Sequence, residues 1–195
     1  SWIEAEREDR AVIAIDGKTI CGSGNKQNRT FHVISAFVAE NQITLGELTA
    51  EEKSNEITAA PELLDLIDVE NAIITADAMS CQKKIAEKIA EKKADYVIGL
   101  KGNQPTLLED VQLYFKAFNQ EIPSYTTLDK GHGRLEKREY LLLTDVTWLG
   151  QAQEWKNLRS VGMVHTIVEE NGTVRENTRY FITSLTDLRE FSKVV

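Results

Sequence analysis

The sequence is poor in residues that cross-link or interrupt a chain, with two cysteines and three prolines among its 195 residues. Cys21 and Cys81 lie far apart and neither belongs to a CxxC pair, so a structural zinc site is not expected. No apolar run approaches the roughly 20 residues that span a bilayer. The first residues are acidic, which a signal peptide does not tolerate. These absences predict a reduced, cytoplasmic protein that does not enter a membrane.

Positive charge is also scarce, because 23 Lys and Arg stand against 31 Asp and Glu, for a net charge of -8. Residues 40–70 hold nine acids and one lysine and therefore carry the entire excess. The rest of the chain is balanced and has local basic patches, so the acidic mean does not exclude a DNA-binding face. The length predicts one folded domain, or one domain with a sizeable insertion.

The first part of the chain predicts three strands followed by alternating helices and strands. Short apolar runs and 3.6-residue periodicity place these elements, in the order β-β-β-α-β-α-β-α, at 11–16, 31–39, 42–49, 60–67, 72–76, 80–93, 96–100 and from Pro105 onward. A polar loop is expected at 21–29, and Pro61 is expected near the first turn of its helix. This is the ribonuclease-H-like order, which predicts an α/β fold with a mixed sheet and flanking helices.

From about residue 125 the pattern becomes β-rich. Strands are predicted at 138–146, 159–169 and Thr173–Thr183, and Asn171-Gly172 is a strong hairpin signal between the last two. Ser184 to Asp187 resembles a capping box that opens another helix. We therefore predict a partial core at 1–120, a β-rich insertion at 121–184 and the start of a truncated helix at 185–195.

Two aspartates end predicted strands that are neighbours in this topology. Asp16 ends the first strand and Asp77 ends the fourth, so their carboxylates are expected to converge at roughly 4–7 Å. Paired carboxylates bind Mg²⁺ or Mn²⁺, and two such ions drive in-line displacement at a phosphate. The plainer alternative is that each aspartate only caps a strand or begins a turn.

Gly17-Lys18-Thr19 invites other interpretations. A phosphate-binding P-loop needs a glycine where Val12 stands, so this is not one. Haloacid-dehalogenase phosphatases need a nucleophilic aspartate where Ala14 stands. Sugar-kinase and actin-like ATPases also end a first strand on Asp-Gly, and the Gly-rich residues 22–24 keep them as a weak competitor.

Longer strings carry a resemblance that runs from about Val12 to Ser184. They are IAIDGKTI, EKSNEIT, PELLDL, ITADAM, CQKKIAEKI, ADYVIGLKGNQPTL and GHGRLEKREY. Together they resemble bacterial DDE insertion-sequence transposases of the H-repeat-associated group. The resemblance implies a ribonuclease-H-like core, a two-metal Mg²⁺ or Mn²⁺ site, and DNA strand cleavage and transfer. It also implies that Asp16 and Asp77 are the first and second catalytic acids.

The third acid of that family stands on a helix after the β-rich insertion, in a His-Trp-containing motif, and no such motif occurs before Val195. We therefore expect this chain to be inactive alone. Cys21 stands where the family tends to have Arg, which weakens a phosphate contact. Two substitutes remain open. Glu109 follows Asp77 by 32 residues, a spacing that retroviral-type integrases use, although a solvated helix residue is the plainer explanation. Glu136 is the other, with a charged hairpin as its plainer explanation.

Several polar residues are candidates for contacts with the phosphate backbone of DNA at the transposon ends, with a solvated turn or surface as the alternative. They are Lys18, Lys101, Asn103, Gln104, His132 and Arg134. His32 and His165 receive no role, and Trp148 and Trp155 are expected to pack the insertion. The resemblance also allows a homodimer of the full-length protein. A domesticated or decayed module that binds nucleic acid without catalysis is the competing function.

Overall fold

The structure is a computed structural model, and it describes residues 10–21, 30–38, 43–50, 56–118, 120–131 and 133–195. The chain divides into two compact units, Ser1–Tyr96 and Val97–Val195. In the part of the chain that is described, no helix is long and apolar enough to cross a membrane. The predicted loop at 22–29 and the turn at Glu40-Asn41 lie outside the described residues.

The first unit is a mixed sheet with helices. Its elements are β1 (Val12–Cys21), β2 (Thr30–Val38), β3 (Ile43–Ala50), α1 (Glu56–Leu66), β4 (Ile73–Ala76) and α2 (Lys83–Glu91). The strand order is β3-β2-β1-β4. The first three strands pair antiparallel, whereas β1 and β4 pair parallel. This mixed sheet and the β-β-β-α-β-α succession confirm the predicted ribonuclease-H-like α/β fold.

Helix α1 covers one face of this sheet. Its Leu63 and Leu64 side chains are fully buried, as are Ile15 and Ala36 on the strands. A Cβ placed on Gly46 would lie 3.0 Å from the Leu63 side chain. The helix therefore approaches β3 closely at Gly46, which has no side chain. The predicted apolar stripe therefore forms the core of the unit.

Pro61 lies deeper in α1 than predicted. The helix begins at Glu56, which puts Pro61 in its second turn instead of its first. A proline there removes one backbone hydrogen bond and crowds the preceding turn. The burial of the leucines that follow offsets this cost, because fully burying each leucine contributes about 1.5–3 kcal/mol.

The second unit is a sheet in which neighbouring strands pair antiparallel. Its elements are β5 (Asp95–Leu100), which begins at the boundary, α3 (Pro105–Phe118), β6 (Ser124–Gly131), β7 (Arg134–Leu143), β8 (Ser160–Glu170), β9 (Thr173–Thr183) and α4 (Leu188–Val194). The strand order is β5-β9-β8-β7-β6. This confirms the β-rich character predicted after the core.

Helices α3 and α4 pack on opposite faces of β9. They contact Tyr180 and Phe181, which are adjacent in the strand and therefore point to opposite faces. Phe115 of α3 lies 6.1 Å from Tyr180, ring centre to ring centre. Phe191 of α4 lies 5.7 Å from Phe181 in an edge-on arrangement. On α3, Leu107 is buried whereas Phe118 is 43% exposed. The helix therefore turns Leu107, and not Phe118, toward the interior of the unit.

The hairpin between β8 and β9 turns at the residues that the sequence predicts. Asn171 and Gly172 both have positive φ, at 51° and 75°, as the predicted tight turn requires. Strand β6 was not predicted. Six of its eight residues are exposed, so it lacks the apolar alternation by which a strand is found.

The cap of α4 is Asp187 and not Ser184, which corrects the predicted capping box. The Asp187 Oδ1 accepts a hydrogen bond from the Glu190 backbone N–H at 2.8 Å. Ser184 is buried, so its side chain is not at the solvent-facing start of the helix. Asp187 and Glu190 have the spacing of the capping motif, three residues later than predicted.

Candidate metal centre

The two predicted acids lie at the same end of the parallel strand pair. Strands β1 and β4 pair from Val12 opposite Ile73 to Ile15 opposite Ala76. Asp16 is the next residue of β1, and Asp77 directly follows the end of β4. Paired strands lie about 4.8 Å apart. The prediction that the strands before Asp16 and Asp77 are adjacent and parallel is confirmed, and the roughly 4–7 Å separation of the two carboxylates stays a prediction.

The two side chains share one face of the sheet. Ile15 is buried on the helix-covered side, so alternation places Asp16 on the other face, where it is exposed. The backbone of Asp77 is still extended, with φ -74° and ψ 178°. It therefore continues the alternation of β4, and Asp77 is exposed on the same face as Asp16.

Asp77 also has a structural task. Its Oδ1 accepts a hydrogen bond from the Met79 backbone N–H at 3.0 Å and caps a short 3-10 turn, Ala78–Ser80. Ala78 and Cys81 are buried and anchor this turn. The turn therefore fixes the Asp77 carboxylate at the end of the strand.

Asp16 does not end its strand, which corrects the sequence prediction. Strand β1 continues to Cys21, because residues 17–21 pair antiparallel with β2 as far as Thr30. Only the parallel partner ends at this level, since β4 stops at Ala76. Asp16 is thus exposed because β4, its parallel neighbour, ends before it.

Two residues that the sequence did not single out lie in the same row. Ser35 is opposite Asp16 on β2, and Glu47 is opposite Ser35 on β3. Glu47 is exposed but lies two strand spacings from Asp16, roughly 10 Å, which is too far to share an ion directly. Only the pairing register reveals this row, and the sequence does not give that register.

The donors suit a hard divalent cation. Carboxylate oxygens are the ligands that Mg²⁺ and Mn²⁺ prefer. Burial raises the pKa of the nearby Cys81 thiol to about 12, so it is a neutral thiol and a poor ligand near pH 7. Among the described residues no group of three or more His, Cys, Asp or Glu side chains is arranged to hold a metal.

The two substitute acids have different surroundings. Glu109 is exposed on α3. Both carboxylate oxygens of Glu136 are engaged, by Arg134 Nη2 and by Arg138 Nε, each at 2.5 Å. The hydrogen bond from Arg138 is the largest cause of a lowered pKa at Glu136. That carboxylate is thus already neutralised by two guanidinium groups.

The proposed DNA-contact residues lie on exposed or half-exposed positions. Lys18 is exposed two residues after Asp16, on the same face of β1. Lys101 and Asn103 are exposed and Gln104 is half-buried, in a turn closed by the Gln104 N–H and the Lys101 carbonyl at 3.0 Å. The side chain of Arg134 is 50% exposed. His132 lies outside the described residues.

The aromatic and histidine residues of the second unit are structural in their contacts. Trp155 is buried, and Trp148 stacks on Tyr114 at 4.3 Å between ring centres. His165 Nδ1 shares a hydrogen bond of 2.9 Å with the Thr178 hydroxyl. Nothing is described of the His32 side chain.

Comparison with known proteins finds relatives that share a transposase name. YncI of Escherichia coli O157:H7, provisionally named a transposase, is 40% identical over 207 residues, which cover 100% of this chain and 53% of YncI. YhhI of E. coli K12, an H repeat-associated protein also provisionally named a transposase, is 40% identical over 91% of this chain and 50% of YhhI. The chain spans about half the length of these relatives.

A solved structure and a family profile complete the comparison. The cryo-EM structure of a piggyBac transposase synaptic complex with hairpin DNA aligns with 91% of this chain and 34% of its own, at 10% identity. Its TM-score of 0.46 is too low to support a conclusion. The profile of the transposase DDE domain matches residues 7–192, nearly the whole chain. The chain belongs to the transposase DDE domain family.

Proposed function

We propose that Asp16 and Asp77 are metal ligands of a transposase that cleaves and transfers DNA strands in its full-length form. The observation that supports the proposal is the register of β1 and β4, because Asp16 and Asp77 each come directly after the paired residues Ile15 and Ala76. Family membership supports the same chemistry. A pair of strand caps needs neither the shared face nor the shared end.

The division of labour follows from charge. Mg²⁺ or Mn²⁺, when bound, activates the attacking oxygen and stabilises the leaving oxygen of an in-line displacement. Asp16 and Asp77 hold and place the ions through their oxygens and lower the local positive charge. Lys18, which is exposed on the same face of β1, would contact a phosphate. Lys101, Asn103, Gln104, His132 and Arg134 are proposed contacts to the DNA backbone.

The 195 residues alone are proposed to bind metal weakly and not to cleave DNA. Two aspartates supply two negative charges, whereas two divalent ions bring four positive ones. A third carboxylate is expected on a helix that follows the β-rich segment, in keeping with a core at 1–120, an insertion at 121–184 and a helix start at 185–195. Glu109 remains the first substitute within the chain, because the Glu136 oxygens already pair with arginines.

A plasmid-nicking assay with Mn²⁺ tests this division. The chain and its Asp16→Ala, Glu109→Gln and Glu136→Gln variants are compared, and no nicking above the protein-free level is expected from any of them. Nicking that Asp16→Ala and one Glu variant both abolish would place the third acid within the chain. A decayed DNA-binding module would bind DNA but show no metal affinity that depends on the two aspartates.

A further inference from the structure

Four arginines of the second unit share one face of its sheet. Arg134, Glu136 and Arg138 are alternate residues of β7. Glu136 is opposite Val168 on β8, which is opposite Arg175 on β9. Likewise, Tyr140 is opposite Val164 on β8, which is opposite Arg179 on β9. Paired positions point to the same side of a sheet, so Arg134, Arg138, Arg175 and Arg179 form what we call the arginine face.

The arginine face is open to solvent, and α4 packs on the same side of the sheet at its other end. The side chains of Arg134 and Arg138 are 50% and 40% exposed, and Arg175 and Arg179 are exposed. Phe191 of α4 packs where Gly162 leaves room, since a Cβ on Gly162 would clash with its ring. The strands extend from this packed end toward the hairpin turns, and residues 171–179 are exposed throughout. A sheet end with so little core is suited to contact another molecule.

Glu136 fixes the two β7 arginines in place. Its side chain is only 13% exposed, and one oxygen binds each guanidinium. A guanidinium has five N–H donors, so each arginine retains others for a ligand. Holding the side chains in advance reduces the conformational entropy lost on binding. Glu136 is thus a positioning residue for the arginines beside it.

The spacing suits a polyanion. Arg134 and Arg138 are four residues apart, about 13 Å along the strand, and β7 and β9 are about 10 Å apart. The β8 positions between them, Val164, Thr166 and Val168, are uncharged. Duplex DNA carries one negative charge per roughly 1.7 Å of its axis, so several phosphates would face this area. Asp129 and Glu170, which also point to this side, lie on the outer strand and at the hairpin end.

We propose that the arginine face binds the phosphate backbone of duplex DNA without sequence preference, with Glu136 positioning Arg134 and Arg138. The choice of DNA as the ligand rests on the proposed transposase function. The arginine face itself does not depend on the metal centre. The chain as a whole is acidic, with a net charge of -8, so affinity for DNA requires a local arrangement of this kind.

The test measures anisotropy of a fluorescein-labelled duplex of random sequence, with EDTA present, between about 50 and 200 mM salt. Arg138→Ala and Arg175→Ala should each weaken binding about fivefold. Each should also reduce the slope of log affinity against log salt by about 0.9, one phosphate contact. The matched control is Lys137→Ala, which removes the same charge from the exposed neighbour on the opposite face of β7 and should change affinity less than about twofold.

Glu136→Gln separates positioning from charge. The variant is more positive by one charge, so affinity would rise if net charge alone attracted the DNA. Positioning predicts weaker binding in a chain whose circular dichroism spectrum is unchanged. Equal losses in Lys137→Ala and Arg138→Ala, tighter binding in Glu136→Gln, or no binding by the unaltered chain would each overturn the proposal. The EDTA removes divalent cations from the assay, so failure here is distinct from failure of the metal centre.

Discussion

At the residue scale, Glu136 shows how one carboxylate can organise a charged surface. It pairs with Arg134 and Arg138 while remaining mostly buried. The pairing lowers its pKa below the ordinary 4.5, chiefly through the hydrogen bond from Arg138. A carboxyl group whose pKa is lower in the folded than in the unfolded chain stabilises the fold at pH values above its unfolded pKa. This stabilisation is lost as the pH falls through its folded pKa.

We therefore expect Glu136→Gln to lower the free energy of unfolding by about 1 kcal/mol at pH 7. The difference from the unaltered chain should stay constant above about pH 5 and shrink as the pH falls below about 4.5. Urea unfolding at several pH values measures it. Glu139→Gln is the control, because Glu139 points to the opposite face of β7. A difference that grows on acidification would contradict the pairing.

Gly162 is a second residue with a checkable role. A methyl group there would collide with the Phe191 ring, so Gly162→Ala should destabilise the second unit by about 1–3 kcal/mol. Gly150→Ala is the control, since a Cβ at Gly150 meets nothing within 4 Å, and it should change stability by less than about 0.5 kcal/mol. Equal urea midpoints for the two variants would show that α4 does not pack at Gly162.

At the element scale, helices α1 and α3 contain prolines with opposite consequences. Pro61 is inside α1, where it lacks a hydrogen bond, whereas Pro105 is the first residue of α3. An interior proline costs about 3 kcal/mol relative to alanine, and about 0.4–1 kcal/mol is recovered through the unfolded chain. Proline at the first helical position is favourable.

Pro61→Ala should therefore raise the free energy of unfolding by about 2 kcal/mol. Pro105→Ala should lower it by less than about 1 kcal/mol. Thermal unfolding followed by circular dichroism compares the two. If both substitutions shift the midpoint in the same direction, the placement of Pro61 in the second turn of α1 is wrong.

Elements with strong local signals were predictable from the sequence. Helix α2 and the Asn171-Gly172 hairpin depend on residues close in the chain, and both were confirmed. Strand β6 and the full length of β1 depend on pairing with distant strands. Their residues are polar or glycine-containing, so partner strands and not local preference decide their structure.

At the scale of the whole molecule, the candidate site was predictable in part. The sequence suggested Asp16 and Asp77 because both follow short apolar runs, and the pairing of β1 with β4 shows that these two strands are adjacent and parallel. Arg175 and Arg179 of the arginine face were not foreseen, because they join it only through the register of three strands. Residues brought together by register leave no local trace in a sequence.

We claim that Asp16 and Asp77 together bind a divalent cation, and a Mn²⁺ titration by calorimetry measures this binding. Asp68→Asn is the matched control, because the Asp68 Oδ1 accepts from the Glu70 N–H two residues later, as Asp77 does from Met79. We expect the unaltered chain and Asp68→Asn to bind Mn²⁺ alike. Asp16→Asn and Asp77→Asn should each lose at least roughly tenfold in affinity, as even outer-shell changes do. Binding that survives both aspartate substitutions, or that Asp68→Asn weakens equally, would contradict the claim.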